Sequence, residues 1–211
     1  MKKITKSWIA VDGRLKRINF NGRNDFRFPE EVAGYVLNTY SKQGDWVIDP
    51  FAGFGTTVHV AQKLKRKAIG FEIDKDRADF ASWGLLKESS VINTAVENLN
   101  SKDLPKFDLL FTSPPYITVH LKDDPWGKSY FKDMKNIFKK LKTTLKNDAY
   151  IVVEVSNIRT VDGVRPLAWQ LGEVLGKIFE FQGEVIRCNI SKTQAGPGFD
   201  HSYLLVYKNK Q

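Results

Sequence analysis

Segments with strand character and segments with helix character alternate along the chain from Pro29 onward, and this alternation constrains the fold more than any other feature. Apolar residues at helical spacing occupy the segments between the strands. The alternation predicts an α/β fold, with a Rossmann-like, doubly wound, mostly parallel sheet and helices on both faces. The first five predicted strands are WVID (46–49), KAIGFEI (67–73), VINTAV (91–96), DLLFTS (108–113) and AYIVVEVS (149–156).

Two later segments, GEVIRCNI (183–190) and HSYLLVY (201–207), predict an antiparallel hairpin at the C-terminal edge of this sheet. The 211 residues suffice for one domain with a complete core, and we expect residues 26–211 to form a single domain. Residues 1–25 predict a basic N-terminal arm, or a hairpin in which SWIAV and RLKRINF flank an Asp-Gly turn.

Charge and composition limit the compartment and the partners. The formal net charge of +9 suits a polyanionic partner, although a lysine-rich solvated surface would give the same value. No apolar run approaches the length of a membrane span, and the N-terminus lacks the apolar segment of a signal peptide. We therefore expect a cytoplasmic protein with no membrane partner. Cys188 is the only cysteine, which excludes internal disulfides and multi-cysteine metal sites, and we predict no metal.

The first predicted strand leads into DPFAGFGTT (49–57), which opens a helix. Ligands of doubly wound sheets bind at the carboxyl ends of the strands, and Gly53 and Gly55 allow the backbone to approach a ligand closely. The loop has no P-loop lysine, and Val58 stands where the dinucleotide fingerprint has its third glycine. Glu72 ends the next predicted strand, where an acidic residue can bind ribose hydroxyls.

An acidic residue before the glycines and another one strand later suit a ligand that has an ammonium group and a ribose but no phosphate. S-adenosylmethionine is such a ligand. Asp49 can meet its ammonium group directly or through water, and the helix N-terminus at Thr56 and Thr57 can receive its carboxylate. The alternative is an ordinary turn that the glycines permit, with Asp49 as a helix cap.

The fourth predicted strand ends in TSPPY (112–116), a rigid corner with few donors. Pro114 and Pro115 lack backbone N–H groups, but a proline still offers its carbonyl as an acceptor. This strand should neighbour the first, so that TSPPY faces the same crevice as DPFAGFGTT. Ser113 Oγ and the Pro114 carbonyl can then accept both N–H groups of an exocyclic amino group, which makes its lone pair available for methylation. Tyr116 can stack on a base flipped out of its helix.

Together, DPFAGFGTT and TSPPY resemble the motifs of the amino-group DNA methyltransferases, which methylate N4 of cytosine or N6 of adenine. The resemblance covers about residues 26–208, and RFP, GFEID and HSYLLVYKN belong to it. It implies the class I methyltransferase fold, S-adenosylmethionine as cofactor, DNA as partner and base flipping. The catalytic residues that it implies are Ser113, Pro114, Pro115 and Tyr116. The cofactor-binding residues that it implies are Phe28, Pro29, Asp49, Pro50, Phe51, Gly53, Gly55, Thr56, Thr57, Glu72 and Ile73.

The same resemblance predicts a site-specific DNA methyltransferase of the kind found in restriction-modification. Ser-Pro-Pro-Tyr is more typical of its N4-cytosine members, so Ser113 favours N4 of cytosine over N6 of adenine. Two alternatives stay open: an RNA amino-group methyltransferase, for example on guanine N2, and a catalytically inactive nucleic-acid-binding module.

The recognition of a target sequence has little room in this chain. The cofactor motif precedes the catalytic motif, and no segment is long enough for a separate target-recognition domain. Only the predicted short loops 117–129, 157–166 and 191–201 and the basic N-terminus are available to contact a target. We therefore predict a short recognition site or loose specificity, or else a separate specificity subunit or a homodimer. Lys122, Lys128 and Arg159 are candidates for phosphate contacts, which position a protein without specifying sequence.

Overall fold

In the computed structural model of the protein, strands and helices alternate as the sequence predicts. The structure describes residues 7–13, 18, 20, 27–116, 129–161, 163–191 and 199–210. The strands are β1 (Trp8–Val11), β2 (Trp46–Asp49), β3 (Lys67–Glu72), β4 (Ser89–Asn93), β5 (Phe107–Thr112), β6 (Leu145–Val155), β7 (Ile158–Thr160), β8 (Gly163–Arg165), β9 (Glu180–Asn189) and β10 (His201–Lys208). The α-helices are α1 (Glu30–Tyr40), α2 (Thr56–Lys63), α3 (Lys75–Ser82), α4 (Tyr130–Lys142) and α5 (Leu167–Gly176).

The main sheet has eight strands in the order β1-β9-β10-β6-β5-β2-β3-β4. Strand β10 runs antiparallel to β6 and β9, and the other neighbouring pairs are parallel. The predicted doubly wound, mostly parallel sheet with an antiparallel C-terminal hairpin is therefore confirmed. The hairpin was predicted at the edge of the sheet, but β1 pairs with β9 and is itself the edge strand.

Helices cover both faces of the sheet and enclose two apolar cores. Helices α4 and α5 pack on one face, where Met134, Phe138 and Leu171 are fully buried. Helices α1 and α2 pack on the other face, where Val36 and Val58 are fully buried. The exposed side of α4 is lysine-rich, as its apolar spacing predicts. This layering leaves the carboxyl ends of β2, β3 and β5 together at one edge of the sheet.

The N-terminal segment joins the main sheet. SWIAV contains β1, and the backbone N–H of Gly13 donates to Asn189 Oδ1 at the end of β9, at 2.7 Å. Of RLKRINF only Ile18 and Phe20 are described, so the predicted hairpin and the boundary near residue 25 stay predictions. Phe20 is buried against Phe54 of the glycine-rich loop, with ring centroids 5.0 Å apart.

A second small sheet was not predicted. Strands β7 and β8 form an antiparallel hairpin directly after β6, within the segment predicted to be a loop (157–166). The hairpin is largely exposed, and Val164 in β8 is 53% exposed. It therefore projects from the same edge of the sheet at which the parallel strands end.

Candidate active site

The glycine-rich loop after β2 contains two residues in the left-handed region. Gly53 has a φ of +53° and Gly55 a φ of +80°, conformations that cost other residues about 1 kcal/mol or more. A Cβ on Gly55 would come within 2.9 Å of Ala81 Cβ and 3.2 Å of His59 Cδ2, so α3 packs directly on this glycine. A Cβ on Gly53 would meet nothing within 4 Å. Packing therefore requires Gly55, whereas Gly53 faces open space that a ligand can enter.

Glu72 at the end of β3 is joined to this loop. Glu72 is 7% exposed, Oε2 accepts from the backbone N–H of Gly53 at 2.9 Å, and Oε1 accepts from that of Asp74 at 2.9 Å. Arg77 Nη2 lies 3.4 Å from Oε1. A carboxylate has about four lone-pair sites, so these contacts orient Glu72 and still leave it able to accept hydroxyl groups.

Asp49 at the end of β2 connects the loop to the catalytic corner predicted at 112–116. Asp49 Oδ1 accepts from Thr112 Oγ1 at 2.6 Å and from the backbone N–H of Phe51 at 3.1 Å. Burial raises the pKa of Asp49 to about 6, and the nearby charge of Glu72 acts in the same direction, while the hydrogen bonds oppose the shift. Because β2 and β5 are neighbours, TSPPY and DPFAGFGTT meet at one edge of the sheet, as predicted.

Ser113 is connected to a buried ion pair. Its hydroxyl donates to Glu154 Oε2 at 2.8 Å, and Glu154 Oε1 lies 3.3 Å from Arg187 Nη1. The side chains of Glu154 and Arg187 are each 3% exposed, so the pair is shielded from water. Since the hydroxyl hydrogen points at Glu154, the Ser113 oxygen presents lone pairs in its other directions. Ser113 is therefore arranged as an acceptor.

Tyr116 closes the corner. Its ring is half-buried against the core that contains α4, and the backbone N–H of Ser156 donates to its hydroxyl. Burial raises the pKa of Tyr116, and the negative charge of Glu154 raises it further. Pro114 is buried and Pro115 is half-buried beside it. The aromatic ring is thus held in place at the hydroxyl end.

The remaining predicted cofactor residues surround the loop at different depths. The Phe28 ring packs 5.2 Å from that of Phe111 on β5, and buried Pro29 precedes α1. Ile73, directly after Glu72, is 68% exposed. The others lie within the loop and the first turn of α2: Pro50 and Thr57 are buried, and Phe51 and Thr56 are half-buried. Their roles toward a cofactor stay predictions.

Sequence reasoning missed three residues that organise the site: Thr112, Glu154 and Arg187. A signal for the ion pair was present, because AYIVVEVS and GEVIRCNI each place one charge inside an apolar strand, and the two charges have opposite signs. Buried charges are usually paired.

Other features of the described residues lie outside this arrangement. No group of three or more His, Cys, Asp or Glu residues there could hold a metal ion. An open cleft between β1 and α1 is lined by Trp8, Glu31 and Tyr35, among others, and by none of the predicted site residues. No helix in the described ranges is long and apolar enough to span a membrane.

Comparison with known proteins finds relatives of the N-terminal part of the chain. Residues 1–82 match the N6_N4_Mtase family model, described as DNA methylase, which confirms the predicted family resemblance over this part of the chain. The Type II methyltransferase M.MthZI of Methanothermobacter thermautotrophicus is 38% identical over 74 residues, which are 34% of this chain and 21% of that protein. The Type II methyltransferase M.MjaI of Methanocaldococcus jannaschii is 51% identical over 53 residues, which are 25% of this chain and 18% of that protein. The chain thus matches only about a fifth of the length of these relatives.

The whole fold also has a counterpart among solved structures. A SAM-dependent O-methyltransferase from Thermotoga maritima superposes with a TM-score of 0.60 at 16% identity, over 90% of this chain and 68% of that one. At this identity the likeness concerns the fold, and it confirms the predicted class I methyltransferase fold. That enzyme depends on S-adenosylmethionine, the cofactor predicted here from the sequence.

Proposed function

We propose that the chain transfers a methyl group from S-adenosylmethionine to an exocyclic amino group of a DNA base, a proposal that the match of residues 1–82 to the DNA methylase family model supports. The favoured acceptor is N4 of cytosine rather than N6 of adenine, because Ser113 precedes Pro-Pro-Tyr. The base leaves the DNA stack to reach the corner, since the reacting nitrogen is otherwise inaccessible.

The residues around the loop fit this cofactor. Gly53 faces open space, and the Glu72 carboxylate stands beside it with spare acceptor capacity for two ribose hydroxyls. Asp49 supplies a buried negative charge for an ammonium group. The backbone N–H groups at the start of α2 supply donors for a carboxylate. When bound, S-adenosylmethionine supplies an electrophilic methyl group on a sulfonium sulfur.

The corner prepares the acceptor nitrogen. The lone pair of an exocyclic amino group is delocalised into the base, which makes the nitrogen a poor nucleophile. Ser113 Oγ accepts one of its N–H groups, with its own hydrogen held by Glu154, and the Pro114 carbonyl accepts the other. Two acceptors in fixed directions favour a more tetrahedral nitrogen and need little reorganisation during transfer. After the nitrogen has gained the methyl group, it releases one proton to solvent.

The hydrogen bond between Thr112 and Asp49 carries this proposal. It joins the last residue of β5 to the last residue of β2, and therefore connects the corner directly to the glycine-rich loop. Methyl transfer between two bound partners depends chiefly on such positioning, because no covalent enzyme intermediate is needed.

Methyl transfer is tested with purified protein, labelled S-adenosylmethionine and duplex DNA of mixed sequence, followed by nucleoside mass spectrometry. We expect labelled N4-methylcytosine. Labelled N6-methyladenine alone would refute the cytosine preference. Methylation of RNA with none of single- or double-stranded DNA would overturn the DNA assignment.

Two pairs of variants tie the activity to the corner. Ser113→Ala should lower kcat on the order of 10²-fold, by analogy with the loss of one hydrogen bond to a transition state, while Ser82→Ala, which removes an exposed hydroxyl, should not. Tyr116→Ala should lower turnover and spare cofactor affinity, whereas Tyr116→Phe keeps the stacking ring and most of the activity. Equal losses in both members of a pair would show that the corner does not contact the base.

A further inference from the structure

An arginine on the β7–β8 hairpin is held in place beside the corner. Arg159 Cζ lies 4.8 Å from the centroid of the Phe199 ring, while the arginine side chain remains exposed. A guanidinium held over an aromatic face keeps its N–H donors at its edge, where they can engage an acceptor in a bidentate way. Because an anchored side chain loses less conformational freedom on binding, this arginine is preorganised for a ligand.

A continuous set of contacts links this arginine to the corner. The Phe199 ring packs 5.4 Å from His201, and the His201 ring packs 5.5 Å from Tyr203. Ser156 Oγ donates to the His201 carbonyl at 3.2 Å, and the Ser156 backbone N–H bonds the Tyr116 hydroxyl. The arginine is therefore connected through packed side chains and hydrogen bonds to the ring proposed to stack on the base.

The charge around the hairpin also points to an anion. Arg159 and Arg165 are both exposed, and residues 158–165 contain one acidic residue, Asp162, so the two arginines leave the hairpin with a net positive charge. Asp200, the acidic residue next to Phe199, lies 3.3 Å from His201 Nδ1. A DNA strand whose base is extruded into the corner must place its flanking phosphates close to this edge. Arginine is well matched to phosphate, because its planar fork meets two oxygens at once.

We propose that Arg159, buttressed by Phe199, binds a backbone phosphate of the DNA strand next to the extruded base. The inference rests on the proposed function for the identity of that strand. In this arrangement His201 and Tyr203 support the buttress, and Arg165 on the neighbouring strand is not required. The contact positions the strand without reading its sequence.

The test measures binding without turnover. A 30-base-pair duplex with a fluorescent label is titrated with protein in the presence of S-adenosylhomocysteine, and Kd is taken from anisotropy at several salt concentrations. We expect Arg159→Ala to raise Kd by about tenfold and to reduce the slope of log Kd against log salt by about 1, as for one lost phosphate contact. Arg165→Ala removes the same charge from the same hairpin and should change Kd less than twofold. Arg159→Lys should fall between wild type and alanine, because it keeps the charge and loses the fork.

Phe199→Ala provides an independent test, because it removes no charge. We expect it to raise Kd severalfold while the affinity for S-adenosylhomocysteine, measured by calorimetry, stays unchanged. Equal Kd values for Arg159→Ala and Arg165→Ala would overturn the inference, and so would a loss confined to duplexes with a guanine at one position. If wild-type protein binds duplex DNA in this way but transfers no methyl group, the proposed reaction fails and the anchor stands. If transfer occurs and Arg159→Ala binds normally, only the anchor fails.

Discussion

Replacing Arg187 with methionine tests whether the ion pair below Ser113 sustains both the fold and the corner. The substitution keeps most of the side-chain volume but leaves the Glu154 carboxylate buried without its cation. With both side chains 3% exposed, water cannot screen or solvate the remaining charge. Breaking a buried pair by removing one partner typically costs about 3–5 kcal/mol, whereas exposed pairs contribute little. We expect Arg187→Met to fall in the first class.

Urea unfolding followed by circular dichroism measures the effect. With an m-value of about 2 kcal/mol per molar, a loss of about 3–5 kcal/mol lowers the urea midpoint by about 1.5–2.5 M. Lys177→Met is the matched control, because Lys177 pairs with Glu173 at a shorter distance of 2.6 Å but is 61% exposed. We expect little change in its midpoint, since burial rather than distance decides the cost.

A second substitution separates the charge from the packing. Glu154→Gln combined with Arg187→Met removes both charges and keeps an acceptor for the Ser113 hydroxyl, so it should recover part of the lost stability. The reasoning is refuted if Arg187→Met shifts the midpoint no more than Lys177→Met does. It is also refuted if the double variant is as unstable as the sum of the two single variants.

Four further predictions concern the glycine-rich loop and the residues packed on it. Because the pKa of Asp49 is raised to about 6, the affinity for S-adenosylhomocysteine should fall by up to tenfold per pH unit below 6, and calorimetry should show that Asp49→Asn abolishes this dependence. The raised pKa also affects the stability of the unliganded protein. The protonated Asp49 carboxyl stabilises the fold below pH 3.8, and this contribution is lost as the pH rises through about 6. Asp49→Asn should therefore flatten the dependence of Tm on pH between these two values. Gly55→Ala should lower Tm more than Gly53→Ala, since only the former meets α3, whereas Gly53→Ala should weaken cofactor binding; equal effects on Tm would contradict the packing argument. Phe20→Ala should lower the free energy of unfolding by about 3 kcal/mol and weaken cofactor binding, because Phe20 packs on Phe54 and Phe80. Unchanged cofactor affinity would show that the N-terminal segment does not support the loop.

The order and location of the main strands could be predicted because each strand is a short apolar run that ends at a turn or helix signal. Strand β5 and TSPPY are an example, since FDLLFT is almost fully buried and two prolines end it. Helix α3 ends at Ser82, two residues before Gly84, which adopts a φ of +74°. In the β7–β8 hairpin only Ile158 is buried, and all three residues of β8 are exposed, so no alternation of apolar and polar residues marked the two strands.

Two Asp-Gly pairs, each a signal for a chain reversal, were not equally informative about strand pairing. An Asp-Gly pair stands at 162–163, where Gly163 begins β8 of an antiparallel hairpin, and another stands at 12–13. The pair at 12–13 directly follows β1. In the described part of the chain, β1 pairs in parallel with β9, which lies more than 150 residues away along the chain. Turn chemistry can indicate a reversal, but it cannot show that a distant strand edge offers better pairing. The hydrogen bond between Thr112 and Asp49 was not predicted, although the adjacency of β2 and β5 was, because strand order does not show which side chains meet between neighbouring strands.

The acidic residues at this edge of the sheet fit the direction in which charge moves in the proposed reaction. Methyl transfer carries positive charge from the sulfonium toward the amino nitrogen. Glu154 accepts a hydrogen bond from Ser113, so its negative charge favours the state in which that nitrogen becomes positive. Arg187 pairs with the buried Glu154 carboxylate and so stabilises its charge in the core. The ion pair is therefore expected to act on kcat as well as on stability. Glu154→Gln should lower kcat even under conditions in which it is fully folded, and unchanged kcat in folded protein would leave the pair a purely structural role.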